Sequence, residues 1–350
     1  MEETSTQIKL TEFSSGSGCG CKISPSVLKE MLLSKDVFPP HPKLIVGSES
    51  NDDAAVFDNG SGQYIISTTD FFMPIVDDAF TFGKIAATNA LSDVYAMGGT
   101  PMMAVAILGW PVSKLNPELA AEVIDGGRFM CRMAGIPLAG GHTIESPEPF
   151  FGLAVTGSVL PEHLRKNNTA KAGDKLFLTK PLGLGIIATA AKRGVAAEGD
   201  LISAVSYMCT LNKMGEALGK LKGVNAITDV TGFGLLGHLL EMAEGSNLCA
   251  QIEYNKVPII PAAKKYSSEF IYPDMTTKNF SSYSAKSSTL SAEQLFVLCD
   301  PQTSGGLLVS VANEAIEEYL QCVQDFGLQG IADSCIGEMI TNGEKTITVI

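Results

Sequence analysis

Apolar residues along this chain change their spacing several times, and each change marks an element. Val27, Leu28, Met31 and Leu32 fall at helical spacing behind Pro25, which predicts a short amphipathic helix with Ser24 as its N-cap. From Leu44 the spacing shortens to that of strands: Leu44 to Val46, Ala54 to Phe57 and Tyr64 to Ser67. Asp58-Asn59-Gly60-Ser61-Gly62 turns the last two into a hairpin. Helical spacing returns from about Phe80 to Met97 and stops at Gly98-Gly99. An apolar strand from Pro101 to Leu108, a helix from Pro117 to Ala134 and a strand from Phe151 to Val159 follow. Residues 25–160 therefore read as an α+β domain.

Between Pro161 and Lys175 the chain turns polar and basic, with Arg165, Lys166, Lys171 and Lys175 close together, and a second domain, 161–350, is placed from there. It opens with a strand from Lys175 to Thr179, a glycine-punctuated helix start at Pro181-Leu182-Gly183-Leu184-Gly185, and a helix around Ala204 to Leu221. Strands near Ala226, Gln251 and Leu307 alternate with helices near Leu235 and Ile316, the order of an α/β layer. Tyr266 to Ser291, rich in Ser, Tyr, Lys and Thr, is expected to be a long surface loop. Residues 1–24 contain Ser14-Ser15-Gly16-Ser17-Gly18-Cys19-Gly20-Cys21-Lys22, which buries too little apolar surface to hold one conformation alone, so a mobile segment is expected.

Charge and composition narrow the function. A net charge of -13 argues against a nucleic-acid partner and against an anionic membrane surface, both of which are held by Lys and Arg. The longest apolar stretch, Pro101 to Val112, falls well short of a membrane span and includes Pro and Gly. The opening residues show no basic region followed by an apolar one, so a cytoplasmic enzyme is expected. The eight cysteines are too sparse for a disulfide scaffold, and Cys209, Cys249, Cys299, Cys322 and Cys335 sit beside apolar residues as small core side chains do.

Between Lys43 and Lys84 there is no Lys or Arg, yet the stretch carries Glu49, Asp52, Asp53, Asp58, Asp70, Asp77 and Asp78. Asp58 belongs to the turn, and Asp77 or Asp78 suits a helix cap. Asp52, Asp53 and Asp70 lie at the edges of apolar strands, where uncompensated carboxylates are costly and a divalent cation such as magnesium, shared with substrate phosphates, is the natural partner. Asp93 adds a carboxylate inside an apolar helix, and Asp229 one at a strand-to-helix transition; Asp93 suits a solvated position as well as a ligand.

Ala139-Gly140-Gly141-His142-Thr143 and Thr231-Gly232-Phe233-Gly234 are glycine-rich turns able to offer backbone N–H groups to phosphate, and Thr303-Ser304-Gly305-Gly306 is a third or a plain tight turn. His142 is either structural or a phosphate donor. Cys19-Gly20-Cys21-Lys22 admits half a zinc site, a strained redox pair, or a nucleophile carrier whose lysine favours thiolate.

Cys19-Gly20-Cys21-Lys22-Ile23-Ser24-Pro25, Asn51-Asp52-Asp53-Ala54-Ala55-Val56, Ser67-Thr68-Thr69-Asp70-Phe71-Phe72 and Asp229-Val230-Thr231-Gly232-Phe233-Gly234 occur in this order. Ala139-Gly140-Gly141-His142 and Cys299-Asp300-Pro301-Gln302-Thr303-Ser304-Gly305-Gly306 accompany them. In this combination the chain resembles the selenophosphate synthetases, from about Leu10 to the C-terminus.

The resemblance implies an aminoimidazole ribonucleotide synthetase-like fold: an α+β N-terminal domain whose sheet pairs across a homodimer, then an α/β C-terminal domain. It implies conversion of ATP, selenide and water to selenophosphate, AMP and phosphate, with Mg2+, and admits a selenium-delivery protein as a partner. By motif position Cys19 and Lys22 are catalytic. Asp53, Asp93 and Asp229 match magnesium ligands. Lys22, Ser50, Asn51, Asp52, Asp70, Asp93, Gly141, His142 and Thr143 match positions around ATP. Two rivals are another small-molecule kinase on the same fold, which has no need of Cys-Gly-Cys-Lys, and a non-catalytic selenium-handling paralogue, whose expected mark is loss of the cysteine.

Overall fold

The computed structural model describes residues 8–23, 25–32, 41–48 and 51–350. The expected N-cap Ser24 and the expected nucleotide contact Ser50 lie outside the described residues. The N-terminal part of the chain holds helix α1 (Pro25–Leu32), which packs on the later helix over Asp274–Tyr283, and strands β1 (Leu44–Val46), β2 (Ala55–Asp58) and β3 (Tyr64–Phe72). Helix α2 (Ala79–Ala96), strand β4 (Thr100–Trp110), helix α3 (Pro117–Ala134) and strands β5 (Leu138–Glu145) and β6 (Phe150–Val159) complete it. The strands form one sheet in the order β1-β2-β3-β6-β4-β5, antiparallel throughout except for the parallel pair β4 and β5.

The predicted hairpin is present, with Asp58 opposite Tyr64 and the Asp58 carboxylate accepting from the Gly60 N–H at 2.8 Å. Strand β3 runs on to Phe72, so Asp70 lies within a strand, not at its edge. Its partner β6 follows it residue for residue, from Tyr64 opposite Val159 to Phe72 opposite Phe151.

Helices α2 and α3 cover one face of this sheet. Asp78 caps α2 by accepting from the Thr81 N–H at 2.7 Å, and Asn116 caps α3, which starts at Pro117 and ends at the left-handed Gly135. The two helices touch backbone to backbone: a Cβ on Gly83 would stand 1.9 Å from the Val123 carbonyl oxygen, and one on Gly126 would stand 2.0 Å from that of Phe80. This close approach leaves α2 buried along almost its whole length, including its polar residues Thr88, Asn89, Ser92 and Asp93. Among the described residues no helix covers the opposite face of the sheet, which presents Phe71, Met102, Val105 and Ile144, all exposed.

The C-terminal domain contains β7 (Lys175–Leu178), helices α4 (Leu184–Lys192), α5 (Glu198–Met208) and α6 (Met214–Leu218), β8 (Val224–Asp229), α7 (Gly234–Gly245) and β9 (Cys249–Ile252). Helices α8 (Pro261–Ser268), α9 (Asp274–Tyr283) and α10 (Ala292–Leu298), strand β10 (Leu307–Val311), helix α11 (Ile316–Asp325) and strands β11 (Gly337–Ile340) and β12 (Ile347–Val349) follow. The sheet order is β12-β9-β11-β7-β10-β8; only β12 and β9 are parallel. Every residue of β10 is buried, and its neighbours alternate between two apolar clusters. Leu308 joins the main core, while Leu307, Val309 and Val311 join a second core with Phe177 and Tyr319. Helices therefore cover both faces of this sheet, which is why the strand reads as a continuous apolar run.

Two expectations need correction. The segment from Tyr266 to Ser291 is helical over most of its length, not a loop. Most of its polar residues lie on the outer side of α8 and α9, while Tyr266, Met275 and Tyr283 are buried beneath together with Ser267, Thr276 and Asn279. The single helix expected from Ala204 to Leu221 is broken between α5 and α6, where buried Asn212 donates to Ser92 Oγ at 2.8 Å and to the Gly305 carbonyl at 2.9 Å. The basic linker is pinned by Arg165, whose guanidinium is buried and donates to the carbonyls of Glu162, Leu164 and Leu221.

Since the α2–α3 crossing has no room for a methyl group, Gly126→Ala should destabilise the protein by about 1–3 kcal/mol, the usual cost of overpacking. Thermal unfolding checks this, and a melting temperature equal to that of the wild type would refute so close a crossing.

Candidate active site

The carboxylates singled out in the sequence meet where the two domains join. Asp53 sits just before β2, Asp70 on β3, Asp93 in the last turn of α2 and Asp229 at the end of β8. Asp53 Oδ1 accepts from Thr228 Oγ1 at 2.9 Å, and Asp52 Oδ1 accepts from the Asn167 N–H at 3.2 Å, so residues of β8 and of the linker hold the 51–53 turn. Asn51 takes a left-handed φ of 48°, which asparagine tolerates, and its carbonyl accepts from Asn167 Nδ2. Thr68 Oγ1 donates to Asp93.

These bonds leave Asp52 Oδ2, Asp53 Oδ2 and Asp229 Oδ2 buried with no partner among the described residues. Burial pushes Asp53 and Asp93 well above the usual carboxylate range, and the charge of Asp229 pushes both further. Burial raises Asp52 and Asp229 to about 6. Lys180, itself buried, donates to the Ser304 carbonyl at 2.8 Å, and burial lowers it to about 7. Anionic oxygens without donors or counter-charge are costly inside a protein, so the donor set suits a hard divalent cation. Among the described residues no group of three or more His, Cys, Asp or Glu side chains converges to hold an ion unaided.

The N-terminal segment is docked over this cluster. Thr11 donates through its N–H and its hydroxyl to Asp77 Oδ1, at 3.0 and 2.6 Å, and Ser15 donates to Glu148. A short turn over Gly18–Cys21 follows. Gly18 has a φ of 49°, and a Cβ there would lie 2.3 Å from Thr303 Oγ1, so only glycine fits. The Cys19 N–H donates to that same hydroxyl at 2.9 Å, and Cys19 Sγ donates to Asn89 Oδ1 at 3.3 Å. Asn89 Oδ1 also accepts from the Ser304 N–H at 2.8 Å, while its Nδ2 donates to Asp70 Oδ2 at 2.6 Å. One buried amide thus ties together the thiol, the carboxylate and the 303–306 turn. Lys22 Nζ stands 3.7 Å from Asp70 Oδ2 and 6.0 Å from the centre of the Phe233 ring.

The two domain models of AIR synthase related proteins match this chain, the N-terminal one over residues 51–159 and the C-terminal one over 171–350. The selenide, water dikinase of Pseudomonas putida is 55% identical over 346 residues, 99% of this chain and 100% of its own. The chain belongs to the selenide, water dikinase family. The enzyme of that name from Aeromonas salmonicida is 55% identical over 92% of this chain and 94% of its own. In fold, the chain is similar to the hydrogenase maturation protein HypE in complex with ATP, with a TM-score of 0.66 and 18% identity over 88% of this chain and 86% of that one.

For a member of this family, two of the sequence expectations change. A neighbouring lysine was expected to favour the Cys19 thiolate. Burial pushes the thiol well up, Asp70 pushes the same way, and Lys22 opposes both without prevailing; in the docked arrangement Cys19 is a thiol. Cys19 is fully buried and Cys21 partly so, and both are free. Cys21 Sγ donates to the Gly18 carbonyl at 2.9 Å.

The second change concerns Gly141, His142 and Thr143, which belong to strand β5 and not to a phosphate-cradling turn. They pair with Ala106, Ile107 and Leu108, and a Cβ on Gly141 would lie 2.3 Å from the Ala106 carbonyl oxygen. Their strand is the exposed edge, three strand spacings or roughly 14 Å from β3, so within one chain they do not join Asp70. The turn Thr231-Gly232-Phe233-Gly234 does enter α7 as expected, and Asn279 Nδ2 fixes it by donating to the Gly232 carbonyl at 2.9 Å.

Sequence reading passed over Asn89, Thr68, Thr228, Lys180 and the part played by Thr303. The available signal was the spacing of Asn89, Ser92 and Asp93, which places three polar side chains on one face of an otherwise apolar helix.

Asp52 and Asp229 hold their protons up to about pH 6 when folded, against 3.8 for an ordinary aspartate. Between these values the folded state binds more protons than the unfolded one, so stability is gained as pH falls through 6 and lost as it rises. After treatment with a chelator the protein should therefore melt higher at pH 5.5 than at pH 7.5, and Asp229→Asn should reduce that gain. An equal gain in the variant would show that the Asp229 carboxyl does not titrate as described.

Proposed function

We propose that the chain makes selenophosphate from selenide, ATP and water, releasing AMP and phosphate, with Mg2+ held at the domain junction. The observation that carries this reading is the docking of Cys19 and Lys22, through Asn89 and Asp70, onto a cluster of buried carboxylates with unpartnered oxygens. Identity of 55% over nearly full length to enzymes named for the reaction supports it.

Asp53, Asp93 and Asp229 hold the cation, which neutralises polyphosphate charge when bound; Asn51, Asp52 and Asp70 line the nucleotide. Lys22 is kept protonated chiefly by Asp70, with Asp93 and Asp229 adding to it, and so offers fixed positive charge where selenium meets the γ-phosphorus. Cys19 handles selenium at the end of the segment, and the docked turn keeps water from the reacting phosphoryl group. The helix-free sheet face with Phe71, Met102, Val105 and Ile144 pairs with a second copy, so that Gly141, His142 and Thr143 serve the partner's nucleotide. An exposed apolar face of this kind on a folded domain marks an interface.

Anaerobic incubation with ATP, Mg2+ and selenide, followed by phosphorus NMR, should show selenophosphate with an equal amount of AMP. Cys19→Ser and Lys22→Ala should abolish the selenophosphate signal and keep nucleotide binding. Accumulation of ADP alone would instead make the chain a kinase of another small molecule. Light scattering should give the mass of a dimer for the wild type and of a monomer for Phe71→Asp; a dimeric variant would remove this face from the interface.

A further inference from the structure

Gly20, Cys21 and Lys22 of the N-terminal segment form the floor of a cavity of about 460 Å3 between the segment, α4 and α9. Cys21 and Lys22 line it from the segment, Lys192 and Arg193 from the end of α4, and Asp274 and Lys278 from the start of α9. Its ionisable walls are thus four cations and one carboxylate in a chain whose net charge is -13. The charges are not cancelled by the bonds that hold the walls: Lys192 Nζ donates to the carbonyls of Ser14 and Gly16, both at 3.2 Å, and Arg193 donates to the Tyr272 carbonyl at 3.4 Å. Carbonyl acceptors are neutral, so although Lys22 is paired with Asp70, the remaining cations Lys192, Arg193 and Lys278 outnumber Asp274 and keep the cavity positive.

None of Asp53, Asp70, Asp93 or Asp229 lines the cavity. Lys22 links the two, its side chain lining the cavity while its Nζ reaches toward Asp70. Cys19 is fully buried and adjoins the lining residue Gly20 in the chain. In phosphoryl transfer the attacking atom approaches opposite the leaving group, so with the nucleotide against the carboxylates the nucleophile arrives from the segment side. The reading of the chain as a selenophosphate-forming enzyme supplies that nucleophile as hydrogen selenide, a small monoanion near neutral pH.

We propose that this cavity is the port through which hydrogen selenide reaches Cys19 and Lys22, with Arg193 and Lys278 gathering the anion at its mouth. The inference rests on that functional reading. Cationic walls in a low-dielectric cleft raise the local concentration of a small anion, and screening by salt weakens the effect.

The test is the double variant Arg193→Gln with Lys278→Gln, assayed anaerobically at low and at physiological ionic strength. At low ionic strength its KM for selenide should rise about tenfold, with kcat at saturating selenide and KM for ATP retained, and its KM should respond less to salt than that of the wild type. An unchanged KM for selenide would overturn the proposal. So would an equal rise in KM for ATP, which would assign the cavity to the nucleotide. Relief of inhibition by inorganic phosphate without a change in KM for selenide would also overturn it, making the cavity a product exit.

A second measurement does not need turnover: the rate of Cys21 alkylation by iodoacetate relative to neutral iodoacetamide, read by peptide mapping. The ratio should fall several-fold in the double variant, and an equal ratio would show that the cavity does not gather anions. Absence of selenophosphate in the wild type would overturn the functional reading and with it the identity of the anion, while the alkylation ratio would still decide whether the cavity is an anion port.

Discussion

Carboxylates buried at the domain junction with oxygens that find no donor constrain everything around them. Asp53, Asp93 and Asp229 come from a turn, a helix and a strand end, and both domains must be in place before they meet. Thr228 and Asn167 supply single hydrogen bonds that orient the turn without neutralising it. The fold thus holds negative charge in a place where its own side chains cannot balance it. Lys22 and Lys180 are the lysines whose charge reaches Asp229; the first is drawn to Asp70, and burial weakens the charge of the second. A site of this kind costs stability in isolation and recovers it when a cation and phosphates bind.

Docking of the N-terminal segment follows from the same arrangement. Asn89 sits in the buried stripe of α2 and uses both ends of its amide, accepting from Cys19 and Ser304 and donating to Asp70. A glycine at position 18 and the hydroxyl of Thr303 complete the seat. The seat has an electrostatic consequence: it removes Cys19 from water and so keeps its proton on. In this arrangement the thiol is out of contact with solvent, donating to Asn89 while the Cys19 N–H donates to the Thr303 hydroxyl.

The sequence by itself determined most of the local structure and the chemical inventory. The hairpin over Ala54–Ser67, the helix ending at Ala134 and a cap at Asp77 or Asp78, which the structure gives to Asp78, follow from turn chemistry and period, because their causes lie within a few residues. The lysine- and arginine-free stretch from Lys43 to Lys84 announced a charge problem, since composition is visible without a fold. Family membership was legible too, because motifs keep their order along the chain.

Only the tertiary structure decided what those residues meet. Gly141, His142 and Thr143 looked like a turn because glycines are usually read that way; β4 approaching within reach of Gly141 makes them an edge strand instead. Tyr266 to Ser291 looked like a loop because the apolar side chains that bury α8 and α9 are few among many polar ones. The protonation of Cys19 was misread because Lys22 is near in sequence, while the groups that outweigh it, the surrounding core and Asp70, come from elsewhere in the chain. Burial and long-range charge are sums over neighbours in space, and a linear sequence does not state who those neighbours are.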